Sequence, residues 1–180
     1  PMYFLISSYL GMAELQLGQI AQGVAEEHRG VDLEPQNPAG LTMMASAYVA
    51  AKMPDSATAL ARRLLALKGI AARKGMAAYT LGSAGERKEA QVVIHDLEAL
   101  PENTWTRSSA LALAYLGLND TARAITYMER AAAAGDGDIL PLYSSPLAIH
   151  IRRSARTDAV WRRYNLDPAL LAQRVAALHQ

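Results

Sequence analysis

The chain has 180 residues, 51% of them apolar and only 6% aromatic, with a formal net charge of +1; that length fits one domain or one row of stacked units. It contains no cysteine, which excludes disulfides, thiolate nucleophiles and cysteine-ligated metals and leaves the compartment open, with the cytoplasm favoured over the periplasm. Alanine dominates, with 35 residues, and no segment keeps the alternation of a half-buried strand, so helices in close contact are expected rather than a sheet sandwich.

In chain order, the pattern predicts paired helices over about 4–17 and 20–33, 38–51 and 54–66, 71–84 and 87–99, and 105–117 and 120–134. Near the start, the apolar run Tyr3-Phe4-Leu5-Ile6 is broken by Ser7-Ser8, far short of the roughly 20 residues that cross a bilayer. No signal peptide is visible. A first residue of Pro1, in or just before a helix, suggests a piece of a longer polypeptide. The turns between paired helices carry Gly18, Lys52, Gly85 and Asn119, mostly residue types that tolerate a left-handed backbone. Pro54 suits a first helical turn, where its missing N–H is no loss, and Asp120 suits an N-cap. Gly135-Asp136-Gly137-Asp138 ends the pattern, Pro141 and Pro146 argue against a long helix after it, and Asp167-Pro168 marks the start of a final helix.

A phased set of small residues overlies these elements. Gly23, Ala57, Ala90 and Ala124 are 34, 33 and 34 residues apart, and Gly11, Ala45, Ala78 and Ala112 repeat those intervals twelve residues upstream. Small residues at such positions let two helices cross closely. Leu10-Gly11, Met44-Ala45 with Tyr48, Leu111-Ala112 with Tyr115, and the apolar Ile94 and Met128 fall at matching places, and Pro35 and Pro101 close the first and third units. This pattern resembles the tetratricopeptide repeat, over about Phe4 to Asp136. The resemblance implies an all-α, right-handed superhelix of about four helix–turn–helix repeats (4–37, 38–70, 71–104 and 105–136) within a stack over 1–136, with 137–180 as a helical C-terminal cap. A stack leaves its last unit with an open apolar face, which the tail from Ile139 onward is expected to cover.

Three residues depart from the pattern. Glu14 and Glu27 occupy apolar positions of the first repeat, and Lys74 replaces a large apolar residue in the third. The first repeat therefore reads as an end cap whose outer face meets water. The tail is basic: residues 150–180 carry +4 and residues 1–149 carry −3. Ile151-Arg152 and Val160-Trp161-Arg162-Arg163-Tyr164-Asn165-Leu166 resemble the close of tetratricopeptide regions in bacterial multidomain regulators, although Ser154, Ala155 and Thr157 stand where that stretch has an acidic residue, proline and phenylalanine. That likeness, with 14 Arg against four Lys and the alanine content, points to a module of a bacterial signalling protein.

Catalytic chemistry is not visible. His28, His95, His150 and His179 lie on separate segments, and His95-Asp96 point about 100° apart on a helix, a poor metal geometry. Glu26-Glu27-His28 reads as a solvated helix face, and no phosphate loop or nucleophile elbow is present. Neither cofactor nor metal is expected.

In the tetratricopeptide family the first helix of each repeat lines a concave groove. The register maps that groove onto Ser8, Tyr9, Met12 and Gln16; Thr42, Met43, Ser46 and Val49; Met76, Tyr79 and Ser83; and Ser109, Leu113 and Leu116. None is charged, so the Lys, Arg and Asn clamp by which one subgroup holds a peptide carboxylate is not carried over, and capture of an acidic peptide is disfavoured. What remains is an apolar channel edged with hydroxyls, with Met12, Met43 and Met76 as a stripe suited to an apolar peptide or a partner helix. The competing reading makes these methionines ordinary core. Two further modes follow from the ends of the stack. Its apolar end face could pair two copies. Arg152, Arg153, Arg156, Arg162 and Arg163, with Trp161 and Tyr164, could touch nucleic acid, which the three-residue Trp161–Tyr164 spacing of a packed helix face disfavours.

Overall fold

A computed structural model describes residues 3–67, 69–140, 142, 151 and 154–166. Among them it is all-helical: α1 (Tyr3–Gln16), α2 (Ile20–Leu33), α3 (Pro38–Ala50), α4 (Pro54–Ala66), α5 (Ala71–Ser83), α6 (Arg87–Glu98), α7 (Arg107–Gly117), α8 (Thr121–Ala133), a 3₁₀ turn at Gly137–Ile139 and α9 (Ala155–Arg163). The expected helix at Asp167-Pro168 lies outside the described residues.

The ends of the helices have local causes. Asn37 caps α3, its side chain accepting from the Ala39 and Gly40 N–H groups at 2.9 and 3.4 Å, and Pro54 sits in the first turn of α4. The Asp120 carboxylate accepts from the Arg123 N–H at 3.1 Å to cap α8. Gly18, Lys52, Gly85 and Asn119 all take positive φ, from 55° to 98°, and turn the chain between paired helices. At Thr106 a φ of 61°, unusual for a β-branched residue, delays α7 by two residues from its expected start. Thr106 is buried there, and its hydroxyl oxygen accepts from the Ala72 N–H at the start of α5, 3.2 Å away.

Each helix packs on its sequence neighbour, and the first helix of each pair also rests on both helices of the pair before it: α3 on α1 and α2, α5 on α3 and α4, α7 on α5 and α6. The phased small residues lie inside these contacts. Ala45, Ala57, Ala78, Ala90, Ala112 and Ala124 are buried. A Cβ on Gly11 would lie 2.9 Å from the Gly23 carbonyl oxygen, and one on Gly75 would lie 2.6 Å from Ala110 Cα. Large side chains such as Leu41, Leu64, Leu81, Leu97, Leu111 and Met128 fill the remaining space. Between pairs, the buried Arg107 donates from Nε to the Leu97 carbonyl at 3.1 Å and from Nη2 to the Glu98 carbonyl at 2.9 Å. It thereby satisfies the open C-terminal carbonyls of α6 with a charge that suits that end of the helix.

The first pair differs from expectation. Glu27 does not face water, alone or as part of a solvated Glu26-Glu27-His28 face: it is fully buried against α1, where a Cβ on Gly11 would meet its Cγ at 3.1 Å. It occupies the repeat position of Ala61, Ile94 and Met128, which are all buried. Burial pushes its carboxyl up to about 8, opposed by the neighbouring Ser8 hydroxyl, so the acid is held largely neutral at pH 7. The outer face of α1 does meet water, and it is apolar: Ile6, Tyr9 and Leu10 are exposed on it and Leu17 just beyond its last residue.

At the other end α9 packs on α8. Ser154 and Thr157 form a capping box at its start, Trp161 and Val160 are buried, and the Tyr164 hydroxyl donates to the Asp136 carbonyl at 2.8 Å. Arg156 pairs with Glu129 at 2.6 Å.

Ala90→Leu is expected to cost about 1–3 kcal/mol by overpacking the α5–α6 crossing, read as a lower urea midpoint; wild-type stability would contradict the burial of Ala90. Glu27 carries a pH dependence. Because folding raises its pKa, its contribution is fully present below about 4.5 and is lost as pH rises to about 8. Glu27→Gln should therefore raise stability at pH 8 by roughly 2–4 kcal/mol and flatten the decline between pH 5 and 8. Parallel pH profiles for the two proteins would show that Glu27 is not the group responsible.

Candidate binding cavity

The first helices of the four pairs converge on a cavity of about 310 Å³. Met12 comes from α1, Thr42 and Ser46 from α3, Ala72 and Met76 from α5, and Ser109, Ala110 and Leu113 from α7, with Asp138 and Leu142 closing it from the segment after α8. The tight α5–α7 approach at Gly75 and Ala110 sets how near the walls come.

Six of the fourteen residues mapped from the repeat register meet here: Met12, Thr42, Ser46, Met76, Ser109 and Leu113. The other eight do not. Ser8 is buried beneath α2, where a Cβ on Gly30 would lie 3.0 Å from its Oγ, and Tyr79 and Leu116 are buried in the core. Tyr9 and Gln16 are exposed and Met43 is half-buried, so the methionine stripe is reduced to Met12 and Met76. Val49 and Ser83 line a separate cavity of about 230 Å³ with Tyr48, Lys52, Met53, Pro54, Ala57 and Ala84. The cavity is also not uncharged. Asp138, on a segment outside the repeat register, brings a carboxyl to its edge, with its pKa raised by partial burial and by Asp136.

The hydroxyls in the wall are already engaged as donors. Thr42 Oγ1 donates to the Pro38 carbonyl at 2.8 Å, Ser46 Oγ has its one proton within reach of either the Thr42 carbonyl at 3.4 Å or Met76 Sδ at 3.8 Å, and Ser109 Oγ donates to the Thr106 carbonyl at 3.0 Å. Each proton is used within the protein, so the oxygens face the cavity as acceptors. With the Asp138 carboxylate and the methionine sulfurs, the polar lining offers acceptors to a guest and no side-chain N–H.

The exposed His28 meets Tyr48, ring nitrogen to hydroxyl at 3.2 Å, and no three His, Asp or Glu side chains among the described residues are grouped to hold a metal ion. No helix among the described residues is long and apolar enough to cross a membrane. Comparison with protein-family models, with curated proteins and with solved structures gave no match.

Proposed function

We propose that the chain is a non-catalytic protein–protein interaction module, a tetratricopeptide-type stack that takes an apolar segment of a partner, as a peptide or a helix, into the cavity along its first helices. The observation that carries this reading is the convergence of Met12, Ser46, Met76 and Leu113, from four successive first helices, on one cavity. Apolar walls with a few convergent polar groups are the general form of a recognition site, and methionine adapts to varied apolar guests.

The acceptor-only polar lining refines the partner. A segment that carries an ammonium, guanidinium or amide N–H among its apolar residues can satisfy Asp138 and the hydroxyl oxygens, whereas a carboxylate there would meet only like charge and lone pairs. The partial resemblance of residues 151–166 to the close of bacterial tetratricopeptide regions favours service within a larger regulatory protein. Nucleic-acid contact through the tail is weakened as a rival because Trp161 is buried and Arg156 is paired with Glu129.

Peptides of about 15 residues selected on the wild-type chain from a displayed library should be enriched in apolar residues with Lys or Arg among them. Met76→Lys should weaken them roughly tenfold or more by placing a charge like the peptide's own in an apolar wall. Asp138→Asn should weaken the basic peptides several-fold and leave uncharged ones unaffected. Equal binding by Met76→Lys, in a protein that melts like wild type, would overturn the reading.

A further inference from the structure

The α1–α2 crossing is built around two buried polar side chains where the later pairs place apolar ones. Glu27 holds the register position of Ala61, Ile94 and Met128, and Gly30 that of Leu64, Leu97 and Ala131. Ser8 and Glu27 are fully buried, and neither the Ser8 hydroxyl nor either Glu27 carboxyl oxygen completes a hydrogen bond among the described residues. Glycine clears the space for them: a Cβ on Gly30 would lie 3.0 Å from Ser8 Oγ, and one on Gly11 would lie 3.1 Å from Glu27 Oε1. Neither α1 nor α3, the helices packed on α2, carries Lys, Arg or His. Their titratable groups are Tyr3, Tyr9 and Glu14 on α1 and Tyr48 on α3; Glu14 has an unpartnered buried oxygen of its own, and Tyr48 meets His28. On α2 itself Arg29 pairs with Glu26, and Asp32 is a further acid.

We propose that the α1–α2 crossing is a proton-operated latch on the cavity. With Glu27 protonated, α1 seats on α2 and Met12 completes the cavity wall. With Glu27 ionised, water enters the crossing and α1 shifts, taking Met12 out of the wall. A carboxylate with no cation beside it is costly to bury, and hydration relieves that cost. The contact at Gly11 and Gly30 has no side chains of its own, so parting the helices there uncovers little apolar surface. Gly11, against which the carboxyl rests, immediately precedes Met12. Consecutive helical side chains point about 100° apart, so α1 meets Glu27 on one side and the cavity on the next. A displacement at the crossing is therefore felt at Met12. Burial holds the Glu27 carboxyl at about 8, which sets the transition just above neutral pH. The effect on a guest rests on the cavity being the binding site; the movement of α1 does not.

Methyl NMR of the full chain, with its seven methionines labelled, tests the movement from about pH 6.5 to 9.5. The Met12 methyl should shift with a midpoint near pH 8 and become accessible to a soluble gadolinium chelate at the alkaline end, while the buried Met128 does neither. Glu27→Gln should keep Met12 shielded throughout. Ser8→Ala, which removes the neighbouring hydroxyl, should move the midpoint upward. The probe for the cavity is N-phenyl-1-naphthylamine, a neutral apolar fluorophore with one N–H. Its affinity should fall roughly tenfold between about pH 6.5 and 9 in wild type and stay level in Glu27→Gln. A Met12 methyl that stays shielded in wild type overturns the proposal. So does exposure that persists in Glu27→Gln, which keeps Glu14, His28 and every tyrosine, because another group is then responsible. Joint exposure of Met12 and Met128 also overturns it, since that is unfolding of the whole stack. Level fluorophore affinity while Met12 is released breaks the link to the cavity and overturns the latch. No fluorophore binding at any pH counts against the cavity as a site, and the Met12 methyl then decides the movement by itself.

Discussion

A methyl group added to Gly23 would sit 2.6 Å from Leu15 Cγ and 2.8 Å from the Gly11 carbonyl, so α1 and α2 cross with their backbones nearly touching. The same register places buried alanines at the other paired crossings. Helices this close exclude water with little side chain, which is how a chain so rich in alanine can bury a continuous core. The larger apolar residues are then left for the seams between pairs, and the angle at each crossing sets where the next pair can sit.

From that packing the rest follows unit by unit. Each first helix from α3 onward rests on both helices of the preceding pair, so contacts are local. Beyond α8 the row is covered by aromatic burial, a capping box and an ion pair in and around α9. On α1 the side chains of Ile6, Tyr9 and Leu10 are exposed. The cavity lies along the first helices, where Met12, Ser46, Met76 and Leu113 face a common space. Its acceptor character arises because helical hydroxyls bond back to carbonyls three and four residues earlier, a habit of Ser and Thr in helices.

Glu27 and Arg107 show two ways of housing an ionisable group in such a stack. Arg107 keeps its charge because two helix-terminal carbonyls accept from it. Glu27 has no comparable donors and is accommodated by holding its proton. Both lie at a helix–helix contact, Arg107 between α7 and α6 and Glu27 between α2 and α1.

Eight helices in four pairs, their positive-φ turns at Gly18, Lys52, Gly85 and Asn119, and the buried small residues were all legible from spacing and residue type, because capping, turn chemistry and helical period act over a few residues of chain. About half of the cavity was legible for the same reason, since residues one repeat apart recur on one helix face. Only the tertiary structure decided that Ser8, Tyr79 and Leu116 turn into the core, that Tyr9 turns outward, and that Glu27 is buried with its proton. Only it could bring Asp138, from a segment outside the repeat register, to the cavity edge. Period assigns a residue to a face of its own helix; which neighbour that face meets depends on how closely and at what angle the other helices approach, and that is fixed by packing across the whole stack.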